Sequence, residues 1–264
     1  MKITVVQPLY AAKDEAIAEF LLQELKHVEE GGLIVLPEYS NAGGLSDPAE
    51  ELAAVPRAAG MLKEAARIAK EKKAYVAINV LERRGEELRN STYLFDTKGE
   101  AAFVYDKIHL PPSEVALDML PGSGTCVCDL DGIRFGFLTC YDIYYNEQIE
   151  YLASQKPDIL IFPVLQRGER VDIVRAQTKL LSFRCNAVTA RSSMSMGSDE
   201  KGGCSMIVSC DGTILCDLGK NVGSVSAEVD PKEKYLRPAG FGGGTVRNDD
   251  FVNMGLKPEV FGGR

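Results

Sequence analysis

Short apolar runs alternate with longer stretches of helical period along this chain, and that alternation limits its fold more than any other feature. Lys2–Gln7 and Leu33-Ile34-Val35-Leu36 are runs of a length suited to buried strands. Between them, Asp14–Glu29 puts Ile17, Phe20, Leu21, Leu25 and Val28 on one helical face, and Gly31-Gly32 stops it. A second helix is predicted over Arg57–Lys72 and a strand over Ala74–Leu81. Hairpins follow at Ser91–Phe95 with Ala101–Tyr105, and at Thr125–Leu130 with Ile133–Thr139. A helix over Tyr145–Gln155 leads to a strand at Asp158–Phe162, and one over Glu169–Arg184 leads to a strand at Ala187–Arg191. Met206–Ser209 and Thr213–Asp217 make a third hairpin, and Gly223–Val229 the last strand. Helices must cover the faces of the sheets these strands form, so the pattern predicts a layered α/β sandwich. No linker-like stretch or repeat breaks it. One domain over residues 1–264 is expected, with a Gly-rich, irregular tail from about residue 231 that could reach over a neighbouring subunit.

Charge and composition narrow the functions open to such a fold. The net charge is −8 and no long basic run occurs, which argues against a nucleic-acid partner, since phosphate binding needs a concentrated Lys/Arg surface. No apolar stretch is long enough to span a membrane, and the opening MKITVVQPLY lacks a signal-peptide pattern, so a cytoplasmic protein is expected. The seven cysteines are then expected to be reduced. No Cys-x-x-Cys is present, and His27 and His109 are the two histidines, so neither a metal site nor a cofactor is expected; no phosphate-cradling or dinucleotide motif appears.

Three places share one arrangement, a reactive side chain just past the end of a buried strand, which is where α/β folds bind ligands. They are Leu36-Pro37-Glu38-Tyr39, Tyr105-Asp106-Lys107-Ile108-His109-Leu110 and Leu138-Thr139-Cys140-Tyr141-Asp142. Singly, each has an ordinary reading: a loop glutamate, a solvated lysine, a core cysteine. Each also has a chemical one. A partly buried carboxylate serves as a base near neutral pH, a thiol near a helix start is activated as a nucleophile, and a fixed ammonium stabilises a developing oxyanion.

Taken together and in order, these segments resemble the nitrilase, or carbon–nitrogen hydrolase, superfamily over about the first 230 residues. Asn90, Pro121-Gly122, Pro157-Asp158-Ile159-Leu160 and Gly203–Ser205 add to the resemblance. It implies a four-layer α-β-β-α sandwich and a catalytic Glu38, Lys107 and Cys140, with Glu114 in Pro111-Pro112-Ser113-Glu114 as the matching second glutamate. It implies a cysteine-dependent hydrolase cleaving a small amide through a thioester, with Tyr141 N–H and Lys107 holding the oxyanion. An acyltransferase on the same fold and a non-catalytic scaffold are the competing readings. Tyr39, Asn41–Leu45, Tyr141 and the loop Ser192–Gly203 are expected to line the pocket, and His109 to order the loop beside Lys107. Relatives acting on acidic amides often carry Arg four residues after the nucleophile; here that residue is Tyr144. Relatives commonly assemble through the helix after the nucleophile, here Tyr145–Ser154, so a homodimer or larger homo-oligomer is expected.

Overall fold

The computed structural model describes residues 1–255. The first half of the chain gives β1 (Lys2–Gln7), α1 (Asp14–Glu24), β2 (Leu33–Val35), α2 (Pro48–Ala54), α3 (Arg57–Lys72), β3 (Tyr75–Arg84), β4 (Glu87–Phe95) and β5 (Ala101–Asp106). The second half gives α4 (Pro112–Val115), β6 (Val127–Leu130), β7 (Ile133–Phe137), α5 (Asn146–Gln155), β8 (Ile159–Pro163), α6 (Val171–Cys185), β9 (Val188–Ser192), β10 (Met206–Val208), β11 (Ile214–Asp217) and β12 (Gly223–Glu228).

The strands form two six-stranded mixed sheets, ordered β12-β1-β2-β3-β4-β5 and β11-β10-β9-β8-β7-β6. Each has three parallel strands in its interior, β1-β2-β3 and β7-β8-β9, with antiparallel strands on both sides. Interior strands buried on both faces read as continuous apolar runs. In β1, Ile3 and Val5 join the core between the sheets, where Phe135, Phe137, Ile159 and Ile161 meet them. Val6, one residue out of phase, packs outward with Ile17 and Leu21 of α1 and Met61, Ala65 and Ile68 of α3. α5 and α6 contribute Leu152 and Leu181 to the core from the other side. The result is the expected α-β-β-α sandwich. Each such aliphatic side chain, fully buried, contributes roughly 1.5–3 kcal/mol from area removed from water.

Three features depart from the expectation. β3 and β4 form a long hairpin about Gly85 whose far end is charged, Glu82-Arg83-Arg84 opposite Glu87-Leu88-Arg89, and so carries no apolar alternation. α2 was signalled only by its cap: Asp47 Oδ1 accepts from Ala49 N at 2.8 Å, with Pro48 in the first turn. The expected irregular tail contains strands β13 (Leu236–Pro238) and β14 (Thr245–Arg247), paired antiparallel, then α7 (Asn248–Asn253). Long-range contacts fix it. Asn186, left-handed at the end of α6, accepts from Tyr235 N at 2.7 Å and donates to Asp249 Oδ1 at 2.8 Å. Residues 256–264 of that expected tail lie outside the described residues. Among the described residues, no helix is long and apolar enough to cross a membrane.

Candidate active site

Glu38 follows β2, Lys107 follows β5, and Cys140 follows β7, on two different sheets. The sandwich brings these strand ends together. Lys107 Nζ donates to Glu38 Oε1 at 2.8 Å and to Glu114 Oε1, in α4, at 2.7 Å. All three of these side chains are buried. Tyr39 OH donates to the same Glu114 oxygen at 2.6 Å. Among the described residues Glu114 Oε2 is buried without a hydrogen-bond partner.

Asn90 completes the cluster. Its Nδ2 donates to Glu38 Oε1 at 2.9 Å and Glu114 Oε1 at 3.0 Å. Its Oδ1 accepts from Asn79 Nδ2 at 2.7 Å, which fixes the amide's orientation. Asn79 Oδ1 in turn accepts the N–H of Tyr39 at 2.8 Å. Sequence reasoning noted Asn90 but gave it no task, and missed Asn79. The available signal was a buried-strand position occupied by an amide in each of two adjacent strands, a polar pair that burial obliges to be hydrogen-bonded.

Cys140 opens a 3-10 turn over Cys140–Tyr144 and has φ +44°. Tyr39 has φ +56°. For non-glycine residues this left-handed backbone costs roughly 1–2 kcal/mol each, and surrounding bonds must hold it. At Cys140 the holder is Asp142, which accepts Thr139 N at 2.8 Å and Tyr105 OH at 2.7 Å on one oxygen. His109 does order the loop beside Lys107: its backbone N–H and Nδ1 both lie 2.9 Å from the other Asp142 oxygen, and its ring stacks on Tyr145.

Electrostatics follow from two carboxylates around one ammonium. Burial opposes the charged form of Lys107, but Glu38 and Glu114 outweigh it and hold the ammonium well above its ordinary range. Burial raises the Glu114 carboxyl, partly countered by Lys107. Burial also pushes the Cys140 thiol well above 9; Glu38 adds to this, whereas Lys107 and the backbone N–H of Leu165 oppose it. A neutral thiol with a carboxylate and an ammonium beside it can hand over its proton as it attacks an electrophilic carbon.

A cavity of about 460 Å³ opens onto these groups, lined by Glu38, Lys107, Glu114 and Cys140 together with Tyr39 and Tyr141. Its outer wall differs from the expected one. Asn41 is buried and donates to Leu81 O and Ala54 O, so Ser46, Pro48 and Glu51 from the following turn and α2 face the cavity instead. Ser192–Ser195 are buried behind the site, and Leu165–Glu169, after β8, take the position given to that loop. Tyr144 also lines the cavity, its OH donating to Glu169 at 2.6 Å.

Comparisons with known proteins agree with this geometry. The model of the carbon–nitrogen hydrolase family matches residues 2–236. A 2-oxoglutaramate amidase of Bacillus subtilis is 29% identical over 226 residues, covering 82% of this chain and 84% of that protein. A hydrolase of Schizosaccharomyces pombe is 25% identical, covering 83% and 73%. Solved structures of an amidase from Nesterenkonia, of the nitrilase superfamily, share the fold: one superposes with a TM-score of 0.76 at 16% identity, covering 99% of this chain and 95% of that one. A match running through nearly all of both sheets, and through every strand end that meets at the cavity, places the chain in the carbon–nitrogen hydrolase family.

Proposed function

We propose that this hydrolase is an amidase that cleaves the C–N bond of a small amide through a thioester on Cys140. The observation that carries the reading is the meeting of Glu38, Lys107, Glu114 and Cys140, from separate elements, on one cavity. The relatives named as amidases support the same substrate class.

Glu38 takes the thiol proton as Cys140 sulfur attacks the amide carbon. The oxyanion is held by Lys107 Nζ and the backbone N–H of Tyr141. Glu38 returns the proton to the departing nitrogen, which leaves as ammonia or amine, and the acyl group remains on sulfur. Water then gives a proton to Glu38 and its oxygen to the acyl carbon; the sulfur leaves and recovers that proton. Glu114 fixes Lys107, and its unpartnered Oε2 is an acceptor for the amide N–H of the substrate. Tyr39 and Tyr141 bound the acyl end.

The enzyme works in the cytoplasm, where its seven free thiols remain reduced. It assembles as a homodimer or larger through α5 and the neighbouring α6, helices that expose Tyr151, Ile173 and Leu180; a monomeric mass by light scattering refutes this. The functional test is ammonia release from a panel of small amides. Release is expected from the wild type and not from Cys140→Ala; release that survives in the variant sinks the mechanism.

A further inference from the structure

Among the described residues, two charged side chains on the cavity wall lack an ion-pair contact. Arg167, in the loop after β8, gives one hydrogen bond, to Tyr10 OH at 2.9 Å, and lies over that ring with its guanidinium carbon 5.7 Å from the centroid. Glu51 comes from α2. Among the described residues neither forms an ion pair within 4.0 Å, with the other or with a third group. The remaining charges are committed: Lys107 to Glu38 and Glu114, Glu169 to Tyr144. Both uncommitted groups are close enough to the reacting atoms to feel them, Arg167 the Cys140 thiol and Glu51 the Glu114 and Glu38 carboxylates. Burial pushes the Glu51 carboxyl up and Arg167 offsets only part of this, so the ionised form still gains from a nearby cation.

We propose that the cavity takes an amide whose far end is a zwitterion, the ω-amide of a short α-amino acid. Its carboxylate lies on Arg167, its ammonium on Glu51, and its amide carbon at Cys140. The inference rests on the amidase reading and adds the substrate class. A substrate seated in the mouth strips water from both charged side chains. One bearing a single charge leaves the opposite group desolvated and unpaired, which is costly, whereas a zwitterion pairs both. A guanidinium also matches a carboxylate with two parallel N–H donors.

The test compares kcat/KM for four amides of similar length: L-glutamine, its desamino analogue glutaramate, its descarboxy analogue 4-aminobutyramide, and neutral butyramide. L-Asparagine is run as the shorter homologue. L-Glutamine or L-asparagine is expected to lead the panel. Glu51→Gln should lower the L-glutamine to glutaramate ratio roughly 10- to 100-fold, and Arg167→Gln the L-glutamine to 4-aminobutyramide ratio by a similar factor, as expected for one charged hydrogen bond each. Wild-type values for both amino-acid amides at or below that for butyramide overturn the zwitterion, and so does a panel in which neither is hydrolysed. Ratios unmoved by both substitutions overturn the assignment to Glu51 and Arg167. None of these results touches the amidase reading, which is tested separately by ammonia release from the wider amide panel and its loss in Cys140→Ala.

Discussion

Asp142 holds His109 at two points, accepting its backbone N–H and facing its Nδ1, both at 2.9 Å on one oxygen. His109 lies two residues after Lys107, and Asp142 two after Cys140, so this contact joins the loops from two sheets. Asp142 is wholly buried, and its other oxygen takes Thr139 N and Tyr105 OH. Asp142→Asn would replace an acceptor by an N–H donor facing other donors. The substitution should cost about 3–5 kcal/mol, seen as a lower urea midpoint at unchanged slope. An unchanged midpoint would show that the contact does not hold the loops.

Asn90 bridges Glu38 and Glu114 with one amide nitrogen. Removing it leaves two like charges held apart by Lys107 alone. Asn90→Ala should therefore lower kcat/KM roughly 10- to 100-fold, with a folded far-UV spectrum. Steady-state ammonia release measures it, and wild-type kinetics in the variant would remove Asn90 from the site.

The site was legible wherever chemistry coincided with a strand end. Glu38, Lys107 and Cys140 each follow an apolar run whose burial is dictated locally, so the sequence carries both the element and the residue just beyond it. What the pattern could not carry was the wall of the cavity. Ser192–Gly203 is expected to be a loop lining the pocket, yet Ser192, Ser193 and Ser195 are buried behind it with their hydroxyls or N–H groups hydrogen-bonded. Arg191 is wholly buried and, among the described residues, has no carboxylate partner; its Nη groups donate to Gly203 O, Cys204 O and Gln166 Oε1. Such pairings join positions far apart in the chain and leave no periodic trace. The tail was misread for the same reason, since Asn186 and Asp158 organise it from a distance.

Gly122, noted in the sequence beside Pro121, has a definite task. Its N–H donates to Lys107 O at 2.8 Å, and a Cβ placed there would collide with the carbonyl of Asp106. Backbone cannot swing aside as a side chain can. Gly122→Ala should cost about 1–3 kcal/mol through overpacking and lower activity as well, because the residue it pushes on precedes Lys107. Calorimetry and ammonia release on one preparation test both effects; full stability with full activity refutes the contact.

His109 should titrate above 6.5. Its hydrogen bond to Asp142 raises the ring's affinity for a proton, and burial opposes this only in part. A group whose folded midpoint is raised lends stability fully present below the unfolded midpoint and lost as pH rises through the folded one. His109→Gln should therefore be more destabilising near about pH 5.5 than near about pH 8.5. Ring-proton NMR gives the midpoint directly, with His27→Asn to assign the signal, and a value at or below 6.5 contradicts the proposed pairing.

Glu38 acts on Cys140 in two opposite ways, and one experiment separates them. As a neighbouring negative charge it adds to the burial that keeps the thiol protonated, so Glu38→Gln should lower the thiol's pKa and leave Lys107 freer to stabilise a thiolate. If Glu38 were only an electrostatic neighbour, the substitution would speed alkylation of Cys140 by iodoacetamide. If it takes the proton as sulfur attacks, its loss should slow alkylation at neutral pH by about 10-fold or more, even with the lower thiol pKa, since positioned bases contribute about 10²–10⁴ to such steps. Peptide mapping distinguishes Cys140, which lines the cavity, from buried Cys126, Cys185, Cys204 and Cys210. Slower labelling of Cys140 in Glu38→Gln is the expected outcome; faster labelling would assign the base elsewhere.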